Sequence, residues 1–239
     1  EKHEIEVSNK FITWGWEIKN NHKVKKLGIL NESINNLPIN KHGKIFILQN
    51  IVPRYSNWMN SSIQSSIQWQ KYFEFQCEFL LRLPKNIFND VVIRIYPKGD
   101  WKYNQSQRWE DEFKTIKLDL CKKNLKETLK NQKLCISTTN TTTLLQTLFW
   151  NFPTMILWDS KYWELKNYAK EDFENLKKVG IFHTSTLSAA EHLKNNFDDI
   201  NYWWLSSKTQ EAKNKFCNKY AHRSCHLVQD LSKLIKKNK

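Results

Sequence analysis

From Lys44 onward, short β-rich runs alternate with longer amphipathic stretches, and that alternation predicts a parallel sheet flanked by helices. Lys44 to Val52 (KIFILQNIV) is the first strong strand, and Pro53 opens the loop after it. Apolar residues at 63, 67, 72, 75, 79, 80 and 83 approach helical spacing, and Pro84 stops that helix. Val91 to Tyr96 is the second strand. Cys121 to Lys130 reads as a short helix, Leu134 to Ser137 as a strand, Thr142 to Trp150 as a helix and Thr154 to Trp158 as another buried strand. Lys170 to Lys178 is a helix closed by Gly180, and Ile181 to His183 a short strand. Ser185 and Ser206 have the side chains of N-caps for helices over 185 to 196 and 206 to 220, and 222 to 237 is the last helix. The first 43 residues are less regular and read as a hinge segment; residues 44 to 239 read as one Rossmann-like α/β domain.

Composition narrows the class. Of 239 residues, 40% are hydrophobic and 13% aromatic, enough for a full core, and the apolar runs are far shorter than the roughly 20 residues of a membrane-spanning helix. Five cysteines without a CxxC pair, and no secretory signal, predict reduced thiols and a cytoplasmic protein. Net charge is +14, from 38 Lys and Arg against 24 Asp and Glu. Such a charge raises nucleic acid or an anionic membrane as a partner. The basic residues are spread along the chain, however, with concentrations only at 23 to 26 and 233 to 239, so nucleic acid is not the expected partner.

In open α/β sheets, ligands bind at the carboxyl ends of the strands, beside helix N-termini. Four segments meet that condition. Arg94, alone among aliphatic residues, must snorkel, pair with an acid, or hold a phosphate or carboxylate, and Tyr96 opens the polar loop after it. Ser137 to Thr143 (STTNTTT) offers Thr138, Thr139, Asn140, Thr141 and Thr142 either as phosphate ligands or as a plain Ser/Thr turn with a cap. It has neither the GxxxxGK nor the GxGxxG spacing of the familiar phosphate loops. Asp159 ends a buried strand, where it can accept from a sugar hydroxyl or cap a helix, and His183 ends another, as a functional or a structural histidine. Trp203-Trp204 reads as core before it reads as a stacking platform. Cys217, His222, Cys225 and His226 match no zinc spacing.

Taken in order, these segments resemble the bacterial surface-polysaccharide (O-antigen region) transferases, a family similar to two-domain GT-B glycosyltransferases. The resemblance runs through Thr13-Trp14-Gly15-Trp16-Glu17, Val92 to Pro97, Ser137 to Leu148, Asn151-Phe152-Pro153-Thr154, Trp158-Asp159, Gly180 to His183, Ala189-Ala190, and Trp203-Trp204 with Gln210 and Phe216. It implies that the chain is the C-terminal, donor-binding half of a longer enzyme whose N-terminal domain binds a lipid-linked or glycan acceptor. Arg94 and the hydroxyl run would hold a nucleotide-sugar, and Gln146 would stand where the family usually has a ribose-binding Glu. Gln146 keeps one carbonyl acceptor and loses the charge.

Two functions from different classes follow. The first is a glycosyl transfer that needs no metal cofactor, since no Asp-x-Asp occurs and Asp198-Asp199 has the wrong spacing. The second is a non-catalytic basic module for nucleic acid or an anionic membrane surface. Peripheral docking at the inner face of the cytoplasmic membrane is compatible with both.

Overall fold

The computed structural model describes residues 2–30, 36–50, 66–95 and 104–236. The chain starts with helix α1 (Lys2–Val7) and two three-residue strands, β1 (Phe11–Thr13) and β2 (Val24–Lys26), which pair in parallel as a small separate sheet. This region thus has secondary structure of its own. Its loop lies against the end of a late helix: Trp14 carbonyl accepts from His222 N–H at 2.6 Å, and Ile29 N–H donates to His222 carbonyl at 3.0 Å.

Strand β3 (Lys44–Leu48) buries all four residues from Ile45 to Leu48, as a strand covered by helices on both faces must. After it come α2 (Ser66–Leu81), the short α3 (Lys85–Phe88) begun at Pro84, and β4 (Val91–Arg94). Helix α2 turns Trp69, Tyr72, Phe73, Gln76 and Leu80 into the core at three- and four-residue spacing. Helix α4 (Gln105–Glu112), β5 (Lys117–Asp119) and α5 (Leu125–Leu129) follow. The expected helix over 121 to 130 is shorter than its pattern because Cys121 adopts φ 58° and the Asn124 side chain caps α5 by accepting from Glu127 N–H.

The second half contains β6 (Gln132–Ser137), α6 (Thr142–Phe149), β7 (Thr154–Leu157), α7 (Asn167–Lys178), β8 (Phe182–His183) and α8 (Thr186–Asn196). It ends with α9 (Ile200–Trp204), α10 (Ser207–Tyr220) and α11 (Leu227–Lys236). Ser185 and Ser206 are the side-chain caps of α8 and α10, as the sequence predicts.

The strands from β3 to β8 form a parallel sheet in the order β5-β4-β3-β6-β7-β8. Numbered within the sheet, that is 3-2-1-4-5-6, the order of a Rossmann-like, doubly wound fold. The chain leaves β3 toward β4 and leaves β6 toward β7, so the connections diverge between those two central strands. Ile45, Ile47, Leu134 and Ile136 face one apolar cluster and Phe46, Leu48 and Cys135 the other, which puts one hydrophobic layer on each side of the sheet.

Candidate functional site

The divergence point lies at the carboxyl ends of β3 and β6, where Leu48-Gln49-Asn50 faces Ser137-Thr138-Thr139. A line of hydrogen bonds closes the two ends together. The Thr138 hydroxyl donates to Leu48 carbonyl at 2.7 Å, the Tyr72 hydroxyl donates to Thr138 Oγ1 at 2.5 Å, and Asn50 N–H donates to Tyr72 Oη at 3.0 Å. Burial pushes the Tyr72 phenol up to about 12, so it remains a protonated donor at neutral pH. Beside it, Gln49 Nε2 donates to Gln76 Oε1 at 2.9 Å while Gln49 Oε1 accepts from Trp109 Nε1 at 2.8 Å. These buried amides are satisfied by one another, which makes the floor of the crevice polar and rigid.

The predicted hydroxyl run divides in two. Thr138 and Thr139 are buried, and Thr139 carbonyl accepts from the Ser137 hydroxyl at 3.0 Å. Thr141 is half-buried, whereas Asn140 and Thr142 are exposed at the opening of α6. Thr141 is the N-cap residue, with extended backbone at φ −123°, yet its side chain makes no cap hydrogen bond to the helix. Its Oγ1 lies 3.4 Å from Thr139 Oγ1. Leu144 N–H donates to the Thr141 carbonyl at 3.1 Å and Thr142 is exposed, so the positive dipole end of α6 lies at the place where such a fold receives an anion. Gln146, one turn along α6, is half-buried and lines a groove of about 520 Å³ with Asn124, Leu125, Lys126, Glu127, Lys130 and Trp150.

The other expected residues stand apart from this cluster. Arg94 pairs with an acid: its Nη1 donates to Asp119 Oδ2 at 2.8 Å and to Thr128 Oγ1 at 3.0 Å, and Nη2 donates to Lys123 carbonyl at 2.7 Å. The guanidinium also lies 5.7 Å from the Phe46 ring centroid. It thus fastens β4 to β5 and to the start of α5. Tyr96 lies outside the described residues, with the rest of segment 96–103 after β4 and segment 51–65 after β3. Asp159 Oδ1 accepts from Lys161 N–H at 2.9 Å in a local turn. His183 is buried; its Nε2 pairs with Gly180 carbonyl and its Nδ1 with the Ser188 hydroxyl, each at 2.9 Å. Burial holds it below the ordinary histidine value.

Gln49, Asn50, Tyr72 and Gln76 belong to the crevice and are not among the residues the sequence points to. The readable signal is Gln76, a polar side chain at a core-facing position of the α2 stripe. At the opposite end of the sheet, the late motif residues meet in a knot. Trp204 Nε1 donates to Asn151 carbonyl at 3.0 Å, Gln210 Nε2 to Trp204 carbonyl at 2.7 Å, and Lys213 Nζ to Asn151 Oδ1 at 2.6 Å and Gln210 Oε1 at 3.0 Å. Trp203 and Trp204 are thus core residues with satisfied indoles; Trp203 Nε1 donates to Val179 carbonyl at 2.7 Å. Burial pushes the Cys217 thiol up to about 12. Among the described residues, no group of three His, Cys, Asp or Glu side chains is placed to hold a metal ion.

No helix among the described residues is long and apolar enough to cross a membrane. No curated protein matches the chain at a significant level. The model of the LIC12162 family transferases matches residues 1–235, from the small β1–β2 sheet through the crevice and the Asn151 knot to α11, and the chain belongs to that family of transferases.

Proposed function

We propose that this transferase moves a glycosyl group from a nucleotide-activated sugar in the assembly of a bacterial surface polysaccharide, and that the chain is the donor-binding half of a GT-B-like enzyme. The observation that carries the reading is the opening of α6, without a side-chain cap, at the divergence point of a 3-2-1-4-5-6 sheet. There the donor's phosphates lie against the first-turn N–H groups, with the Asn140 amide and Thr141 and Thr142 hydroxyls as further donors. As the glycosidic bond to phosphate breaks, negative charge grows on the leaving oxygen, and prepositioned N–H groups stabilise it without reorganising. Gln146 supplies one carbonyl acceptor for a ribose hydroxyl. The acceptor glycan or lipid-linked sugar comes from a second domain.

A thermal-shift titration with CMP, UDP, GDP and TDP at physiological salt tests this. One nucleotide raises Tm by about 5–10 °C near a hundredfold excess over Kd, and the rise survives higher salt. Thr142→Asp keeps the fold, because a carboxylate in the first turn suits the helix dipole, but repels the phosphate and weakens binding at least about tenfold. No response to any of the four nucleotides, or a response only to a single-stranded oligonucleotide that disappears as salt rises, overturns the reading.

A further inference from the structure

Helix α11 has the residues of a buried helix but only part of the burial: Leu227, Leu231 and Leu234 are half-buried, while Val228 and Ile235 are exposed. Leu227, Val228, Leu231, Leu234 and Ile235 fall within an arc of about 120° on the helix. None of its residues is buried, and Val228 and Ile235 are 78% and 55% exposed. In a soluble domain, burial of such a stripe is what holds a surface helix in place.

The opposite arc carries Gln229, Lys233 and Lys236, with Lys233 3.9 Å from Asp230. From Ala221 to Lys239 the sequence holds five Lys and Arg residues (Arg223, Lys233, Lys236, Lys237 and Lys239) against one acid, Asp230. An apolar stripe that exposes Val228 and Ile235 and is backed by lysines fits an interface that is apolar at its inner side and anionic at its outer side. The headgroup layer of an anionic bilayer has that profile, because the aliphatic side chains enter the acyl boundary while the lysines reach the lipid phosphates.

We propose that α11 is an interfacial anchor that docks the protein on an anionic lipid surface through Leu227, Val228, Leu231 and Ile235. The docking does not depend on which group the transferase moves. A protein partner for the same face would not call for this excess of lysine, and the charge of +14 on the whole chain adds long-range attraction to the same surface.

Co-sedimentation of the chain with vesicles of phosphatidylcholine containing 30% phosphatidylglycerol tests the proposal. The wild type sediments with these vesicles, binds pure phosphatidylcholine at least about tenfold more weakly, and dissociates in 0.5 M salt. Val228→Asp with Ile235→Asp lowers binding at least about tenfold with Tm unchanged, because both side chains already face solvent. Lys233→Glu with Lys236→Glu removes the preference for the anionic vesicles. Failure of the wild type to bind, or equal binding to the two vesicle types, overturns the proposal. So does concentration-dependent dimerisation, seen by light scattering and abolished by Val228→Asp with Ile235→Asp, because α11 would then be a contact between copies.

Discussion

Replacing Arg94 separates a structural clasp from a ligand contact. The Arg94 and Asp119 side chains are 12% and 20% exposed, so the pair is shielded well beyond a surface ion pair without being wholly dry. Arg94→Ala removes three hydrogen bonds, and the consequences differ among the partners. Thr128 Oγ1 still donates to Asn124 carbonyl, and Lys123 is exposed, so its carbonyl rehydrates. Asp119 bears most of the loss: Oδ1 keeps the Cys121 N–H at 3.0 Å, while Oδ2 loses its cation. Breaking a charge-assisted bond in a half-dry setting costs about 2–3 kcal/mol, below the roughly 3–5 kcal/mol of a fully buried pair.

For a chain of this size that loss lowers Tm by about 5–10 °C. Chemical denaturation of Arg94→Ala, Asp119→Ala and the double variant measures the coupling directly, with about 1.5–2.5 kcal/mol expected between the two side chains. Arg94→Lys restores the charge but cannot reach Asp119, Thr128 and Lys123 together, so it recovers only part of the loss. A variant Arg94→Ala within about 2 °C of wild type, or purely additive single changes, refutes the clasp. If that unperturbed variant had also lost its nucleotide response, Arg94 would be a donor ligand.

Two further outcomes can be read from the same kind of measurement. Burial lowers His192 from 6.5 to about 4 beside the His183 ring, so below pH 6.5 the unfolded chain binds a proton that the folded chain refuses. Stability therefore falls by roughly 2–3 kcal/mol as pH drops from 6.5 to about 4. Most of this window lies above that of the lowered carboxylate of Glu78, whose contribution is lost only below 4.5. Urea unfolding at a series of pH values measures the slope; His192→Phe flattens it, and an unchanged slope in that variant is the adverse result. Tyr72→Phe leaves Asn50 N–H without its acceptor and Thr138 Oγ1 without its donor, costing about 1–2 kcal/mol in urea unfolding and weakening nucleotide binding through a loosened crevice. Stability and nucleotide affinity both equal to wild type would remove Tyr72 from the crevice.

The strands that the sequence shows plainly are those with both faces buried, because Ile45 to Leu48 or Thr154 to Leu157 need no alternation to be recognised. Strand β5 is an edge strand of three residues, Lys-Leu-Asp, without a buried residue, and it carries no comparable pattern. Helix α4 hides for a similar reason: among eight mostly polar residues, Trp109 alone supplies its large buried side chain. The candidate site divides along the same physical line. Composition locates the run from Thr138 to Thr142, since hydroxyls at a strand-to-helix turn are visible as residue types. It does not show that Thr138 is spent on the Leu48 carbonyl while Thr142 is exposed, because that depends on which strand lies beside β6. Tyr72 and Gln49 are invisible for the same reason: they are brought to β6 by a pairing between residues about ninety positions apart.

His183 shows how a strand end can carry a reactive residue type and yet assign it a different task. A neutral imidazole has one N–H donor and one acceptor, and both partners here accept that division: Gly180 carbonyl can only take a proton from Nε2, which leaves Nδ1 to accept from the Ser188 hydroxyl. Protonation would place a donor on Nδ1 and force the Ser188 hydroxyl to turn away, in a site where burial already disfavours the charge. The ring therefore ties the end of β8 to the first turn of α8 and holds the turn at Gly180, whose φ of 76° and closeness to His192 leave no room for a side chain. With His183 held as a tether and Arg94 as a clasp, the groups that the described residues leave at the divergence point are amides, hydroxyls and helix N–H groups. Among the described residues, such a set can hold and stabilise an anion, which suits it to grip a charged group rather than to move a proton.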